Sequence, residues 1–464
     1  MAAAVGKLLR EPTPVVVQTP DPPRKGAPAG CGGSAVGWIA VRAIGYNRGV
    51  MIGTPVEGME RALAAVSAAR IADRVEALAA IGPDPGGGMT RLGLTAEEQR
   101  ARDLVGSWLA PLGYQCAQDD AANLHCRAGE EPRVLVGSHL DTVPRGGRYD
   151  GALGVVAAVE VAEALHHAGI ALGLHVAAWT GEEGVRFGTG LFGSAAACGL
   201  LEVRDWERTD AAGRSARQAA AELLGRRVRP ESVPLRRASL RACLELHIEQ
   251  SSVLERRGCE LGVVSAIVGL YHGVVTVAGR ADHAGTTAMG ERQDALAAAA
   301  ECVLAVEEVS VRFAGAAIAT VGEIEVVPGA KNVVPGSCAF SLDVRSVSDE
   351  RRGEAVAAVL AGVERICQRR GVGWRVETVG EAPAVRMDER VQGVLEAACE
   401  RLGVPAPRMP SMAGHDAQNL ASIGVPTGML FVRSTGGSHN PREHASADDA
   451  AQGARALLLA CAAL

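Results

Sequence analysis

A chain of 464 residues exceeds what one hydrophobic core usually serves, so two domains are expected. Its 47 Lys and Arg against 53 Asp and Glu give a formal net charge of -6, which leaves no basic footprint for nucleic acid. Eleven cysteines, an odd number with no CxxC pair, predict buried thiols in a reducing compartment, the cytoplasm, rather than a disulfide framework.

Residues 1–55 carry Pro12, Pro14, Pro20, Pro22, Pro23 and Pro28, which break any periodicity, and are read as a poorly ordered extension. Lys7 and Arg10 precede prolines rather than an apolar core, so no signal peptide is expected; Met51 and Met59 offer later translation starts. From residue 56 the pattern turns helical, with Met59, Leu63, Val66, Ile71, Val75 and Leu78 on one face. Thr95 followed by Glu98 has the spacing of a capping box and opens a helix to about residue 112. Strands are predicted around 114–116, 124–126 and 133–136, the last running into Gly137-Ser138-His139-Leu140-Asp141-Thr142-Val143-Pro144 and closing at Tyr149-Asp150-Gly151. A helix over 152–167 and a strand over 172–179 follow, and that strand ends in Thr180-Gly181-Glu182-Glu183-Gly184. Residues 203–241, rich in Arg, Glu and Ala, read as solvated helices. The strand 244–248 contains His247. The longest stretch free of acids, Lys and Arg, residues 261–279, holds four glycines, His272 and many β-branched residues, so it reads as strands and no membrane span is expected. From 266 to 378 the chain has its own strands (317–321, 339–344) and helices (294–309, 349–369). Helix–strand alternation resumes over 379–464, with a strand at 428–432 and a terminal helix from Ser446. The expected architecture is α/β: one catalytic domain in two segments, 56–265 and 379–464, with an α+β module, 266–378, inserted between them.

Three strand ends carry metal-competent side chains: His139 with Asp150, Glu182 with Glu183, and His247 with Glu249 and Gln250. A fourth loop, Gly437-Ser438-His439-Asn440-Pro441, lies near the C-terminus. One strand-end histidine is ordinarily structural, and a GEEG turn alone is ordinarily a solvated loop. Several such loops at one sheet edge are harder to explain that way, because ligands of open α/β sheets gather there and crowded carboxylates repel without a compensating cation. Imidazole with carboxylate oxygen suits zinc or a neighbouring divalent metal. Two such cations about 3.5–4 Å apart lower the pKa of a shared water towards roughly 7. Of Glu182 and Glu183, one can bind metal while the other carries protons.

Together His139-x-Asp141, Asp150-Gly151 and Gly181-Glu182-Glu183-Gly184 resemble the di-metal aminoacylase/carboxypeptidase superfamily. Glu183-Gly184-Val185-Arg186-Phe187, Glu245-Leu246-His247-Ile248-Glu249-Gln250, Asp282-His283-Ala284-Gly285-Thr286-Thr287, Gly414-His415-Asp416-Ala417 and Ser438-His439-Asn440-Pro441 look like its hydantoinase/carbamoylase branch, with His247 in HIEQ as the diagnostic residue. The resemblance spans about residue 70 to the C-terminus. It implies a discontinuous di-zinc peptidase-like catalytic domain with an inserted lid and dimerisation domain, hence a homodimer. His139, Asp150 and His247 would surround one metal, and Asp150, Glu183 and His439 the other, with zinc, manganese, cobalt or nickel as the two divalent ions per subunit. Glu182 would be general base and acid, and His283 would steady the oxyanion, reaching across to the partner subunit's site. Asn332 and Arg345 would bind the substrate carboxylate, with Gln250 and His415 as further substrate contacts.

The implied activity is hydrolysis of the carbamoyl (ureido) C–N bond of an N-carbamoyl-L-amino acid, a small-molecule ureido acid, to amino acid, ammonia and carbon dioxide. Allantoate amidohydrolase and β-ureidopropionase are the neighbouring alternatives. A catalytically silent scaffold is the alternative from another class, and no expected ligand nor Glu182 is lost to support it. Departures from the branch pattern are Ser251-Ser252 for glycine-proline, Asp282 for asparagine, Ala288 for proline and Ala122 for glycine; none touches an expected ligand.

Overall fold

The most continuously apolar runs of the chain need cover on both faces, and they become the middle of a sheet flanked by helices. The computed structural model describes residues 56–232 and 235–464; the extension expected over 1–55 lies outside the described residues. Among these, nine strands form the larger sheet. Their order is Gln115–Gln118, Leu124–Ala128, Leu174–Trp179, Arg133–His139, Leu240–Ile248, Thr427–Val432, Leu261–Ile267 and Val385–Arg386, with Arg408–Ser411 also on Leu261–Ile267. The central four are mutually parallel. Helix Ala152–Ala168 lies over them, buried along nearly its whole length, and packs against helices Val56–Ala65, Ala68–Ala79 and Ala447–Ala463 around the main core.

A second, antiparallel sheet has the order Ile324–Val327, Ser337–Ser346, Gly269–Ala278, Gly373–Ala382, with Ile318–Thr320 also on Ser337–Ser346. Burial alternates along Gly269–Ala278 and Ser337–Ser346, so one face is apolar. Helices Ala295–Arg312 and Asp349–Arg370 cover that face and enclose a separate core. The larger sheet thus draws strands from before residue 269 and after residue 382, the discontinuous α/β arrangement anticipated. The last strand of the second sheet runs to Ala382, past the expected limit at 378.

Several local expectations change. The apolar stripe from Met59 to Leu78 is two helices, because Ser67 turns extended and its hydroxyl caps the second by accepting the Arg70 amide. The described part of residues 203–241 is mostly not helical: among the described residues there, only Val203–Trp206 and Ala216–Leu224 are α-helix, the latter stopped by Gly225 at φ 61°. Thr95 caps its helix, but the Glu98 carboxylate does not accept the Thr95 amide in return; it accepts the Leu94 amide and reaches further afield. Among the cysteines, Cys116 and Cys126 stand directly opposite each other on neighbouring antiparallel strands and form a disulfide. The expectation of thiols alone is corrected there; the other eight described cysteines are free, seven of them buried. No helix among the described residues is long and apolar enough to cross a membrane.

Candidate metal centre and active site

The parallel strands of the larger sheet end on one edge, and each end delivers a side chain. His139 is the last residue of its strand, Glu182 and Glu183 follow Trp179, His247 is penultimate in Leu240–Ile248, and His439 lies in the loop after Thr427–Val432. Asp150 sits at the start of helix Ala152–Ala168. Gly151 beside it has φ 63°, and a Cβ there would fall 2.4 Å from His139 Nε2, so only glycine lets this turn close on the imidazole. Two donor groups result. His139, Asp150 and His247 offer atoms all within 4.8 Å of one another, and so do Asp150, Glu183 and His439. Asp150 is shared: Oδ1 lies 3.1 Å from His247 Nε2 and 3.7 Å from His139 Nε2, while Oδ2 lies 3.4 Å from His439 Nε2. Glu183 Oε2 is also 3.4 Å from His439 Nε2. Glu182 belongs to neither group, and its Oε2 stands 3.7 Å from His139 Nε2.

Neighbouring carbonyls aim the rings. His139 Nδ1 donates to the Asp141 carbonyl at 3.1 Å and His247 Nδ1 to the Ile248 carbonyl at 3.0 Å, which turns each Nε2 towards Asp150. The Asp141 carboxylate is also 3.5 Å from His139 Nδ1. Burial pushes Glu182 well above the usual carboxylate range; the nearby His139 opposes this, and Glu183, Asp416 and Asp141 add to it. Burial, then Asp150, lifts Glu183 to about 8. Burial also works against ionised Asp150, but His247, His139 and His439 outweigh it and hold that group below the usual range. Two acids and three imidazoles, four of the five side chains nearly or wholly removed from water, are the donor set a pair of divalent cations would satisfy. The residues therefore fit the metal that the chemistry implies.

The other expected residues are distributed differently. Gln250, at φ 62°, donates from Nε2 to Asp150 Oδ2 at 3.0 Å, and its Oε1 is buried without a partner. His415 is buried edge-on against His247 with ring centroids 4.5 Å apart, and bonds Ser411 Oγ through Nε2. Burial and His247 push it well below the ordinary imidazole value. Glu249 is turned away, accepting the Val253 and Leu254 amides at the start of a short helix, so it is no ligand. His283 is exposed, and its Nδ1 accepts the amides of Gly285 and Thr286. Asn332 is beside it, its carbonyl accepting the Ala284 amide. Arg345 is held by Asp343 through Nε and Nη2 and donates from Nη1 to the Met412 carbonyl. No hydrogen bond or ion pair among the described residues joins His283, Asn332 or Arg345 to the donor groups. Sequence reasoning missed Glu443, which accepts the Tyr149 and Asp150 amides and lies 2.7 Å from Ser438 Oγ. Burial and Asp150 lift its carboxyl to about 7. Also missed was Glu245, which accepts from Ser138 and from the Ala417 amide and groups with His247 and His415. The only sequence signal for either is an acid near an expected ligand.

A family model described as Peptidase family M20/M25/M40 matches residues 135–463. An N-carbamoyl-L-amino acid amidohydrolase of Geobacillus stearothermophilus is 41% identical over 398 residues, 84% of this chain and 96% of that protein. An allantoate deiminase of Arabidopsis thaliana is 34% identical over 77% of this chain and 75% of its own. Among solved structures, a hydantoinase/carbamoylase family amidase from Burkholderia multivorans superposes with TM-score 0.79 at 33% identity, covering 86% of this chain and 98% of that one.

Proposed function

The chain belongs to peptidase family M20/M25/M40, in its hydantoinase/carbamoylase branch, and on that premise we propose that it hydrolyses the ureido C–N bond of an N-carbamoyl-L-amino acid, yielding amino acid, ammonia and carbon dioxide. The family depends on divalent metal. The observation that carries the reading is a pair of donor groups sharing Asp150, with one further carboxylate, Glu182, beside them and in neither. His139, Asp150 and His247 would hold one cation and Asp150, Glu183 and His439 a second, zinc first among the candidates. Bound there, such cations supply Lewis acidity to the carbamoyl oxygen and acidify the attacking water. Glu182 takes the proton from that water and returns it to the leaving nitrogen, a task its raised pKa suits. The Arg345 guanidinium has donors beyond those given to Asp343 and Met412, and these, with Asn332, meet the substrate carboxylate, while Gln250 and His415 are further substrate contacts. His283 donates to the developing oxyanion from a homodimer built through the second sheet, in the cytoplasm.

Glu182→Gln keeps shape and removes the proton carrier. Its turnover is expected to fall roughly 10²–10⁴-fold at unchanged metal content; turnover near the parent's would sink the assignment. Relatives named allantoate deiminase give a second reading of the same site. Turnover of carbamoyl amino acids, allantoate and ureidopropionate side by side, on chelated and metal-restored enzyme, separates the two.

A further inference from the structure

The turn that carries Glu182 and Glu183 has four consecutive backbone N–H groups, and a side-chain oxygen from elsewhere takes each one. Thr180 N–H donates to Asn123 Oδ1 at 3.0 Å, and Gly181 N–H to Glu98 Oε1 at 3.2 Å. Glu182 and Glu183 N–H donate to the two oxygens of Asp141 at 2.9 and 3.1 Å. All three acceptor residues are buried. Each of the first two is itself pinned. Glu98 pairs with Arg102 at 2.8 Å and accepts the Leu94 amide, and Arg102 also donates to Thr180 Oγ1. Asn123 donates from Nδ2 to Asp119 and to the Gly193 carbonyl. The backbone closes tightly round them: a Cβ on Gly193 would fall 2.1 Å from Asn123 Oδ1, and one on Gly93 2.7 Å from Gly181 Cα.

Asp141 also lies against His139, so its effects are mixed. Glu98 and Asn123 make no hydrogen bond or ion pair to either donor group; their direct hydrogen bonds to this turn are to the peptides of Gly181 and Thr180, and Glu98 also faces Asp141 electrostatically. A glutamate side chain is flexible, and where its carboxylate sits depends first on where its backbone is held; misplacement by about 1 Å can cost on the order of a hundredfold in rate. We propose that Glu98 and Asn123 are positioning residues, clamping the turn at residues 180–183 so that the Glu182 carboxylate stands where proton transfer requires it. This rests on the reading of Glu182 as the proton carrier.

The test uses the metal-loaded protein. Glu98→Met with Arg102→Met removes the acceptor together with its buried counter-charge, which spares the fold an unpaired charge. Asn123→Ala removes the second clamp, and Glu98→Gln with Arg102→Met restores an acceptor. Expected are a kcat lowered roughly ten- to hundredfold, a KM within about twofold of the parent's, faster amide exchange confined to residues 180–183, and partial recovery in the glutamine variant. A kcat within about twofold of the parent's in both clamp variants, while Glu182→Gln loses turnover, overturns the proposal alone. So does a loss of rate that the glutamine variant leaves unrepaired. Full turnover by Glu182→Gln overturns both this and the reading beneath it.

Discussion

Ala122 is a non-glycine residue at φ 63°, and Gln250 and His439 share that left-handed backbone at φ 62° and 57°. Gln250 and His439 meet donor-group atoms, and Ala122 sits in the turn that carries Asn123, the kind of place where backbone strain persists because surrounding bonds enforce it. Ala122 is fully buried between Asp119 and Asn123, where the branch pattern has glycine. Ala122→Gly relieves about 1–2 kcal/mol of backbone strain, forfeits about 0.8 kcal/mol of buried methyl and gives up about 0.4–1 kcal/mol through a more flexible unfolded chain. The terms nearly cancel, so the change in stability is expected to stay under about 1 kcal/mol. Ala157→Gly, equally buried but in the middle of a helix, has no strain to relieve and is expected to cost about 2 kcal/mol. Urea denaturation of the pair decides; equal losses at both positions would show that the Ala122 backbone is relaxed.

Among the elements, helix Ala152–Ala168 joins chemistry to stability, since Asp150 immediately precedes its N-cap Gly151 and its middle bears Glu160. Glu160 has no exposed side-chain surface and accepts from the Ser67 amide, Arg70 and Arg74. That one carboxylate ties the short helices at the start of the described chain to the helix covering the sheet. Removing it leaves Arg74, itself nearly buried, with Glu163 as its remaining acid. Glu160→Leu is expected to destabilise by about 3 kcal/mol. Arg74→Met added to it should recover part of that loss by removing the stranded charge. Denaturation midpoints test this, and a loss below about 1 kcal/mol would mean the pairing contributes no more than a surface ion pair.

At the scale of the whole molecule, residues from 139 to 439 meet only when the larger sheet is complete, so a cation held between them binds the folded chain alone. Such a ligand at about a hundred times its Kd adds roughly 2.7 kcal/mol to stability. Chelated protein is expected to melt several degrees below the metal-restored form, with His247→Ala, which removes a donor of one group only, reducing the difference. Superimposable melting curves, together with no metal retained after dialysis, would remove the cations from the reading.

What the sequence determined by itself was local in origin. Apolar runs specify the parallel strands, a polar elbow follows each run, and so His139, Glu182 and His247 were legible as strand-end residues before any coordinates. Motif order carried the family, and the α/β architecture with it. Tertiary structure alone decided which oxygen meets which amide. Glu98 reaches Gly181 across 83 residues and Glu443 reaches Asp150 across 293. Cys116 faces Cys126 through strand register, and Arg345 is paired with Asp343 and Met412 rather than free. The reason is physical: periodicity reports which face of an element is buried, whereas a hydrogen bond of about 3 Å depends on register, crossing angle and rotamer summed over every element between its ends.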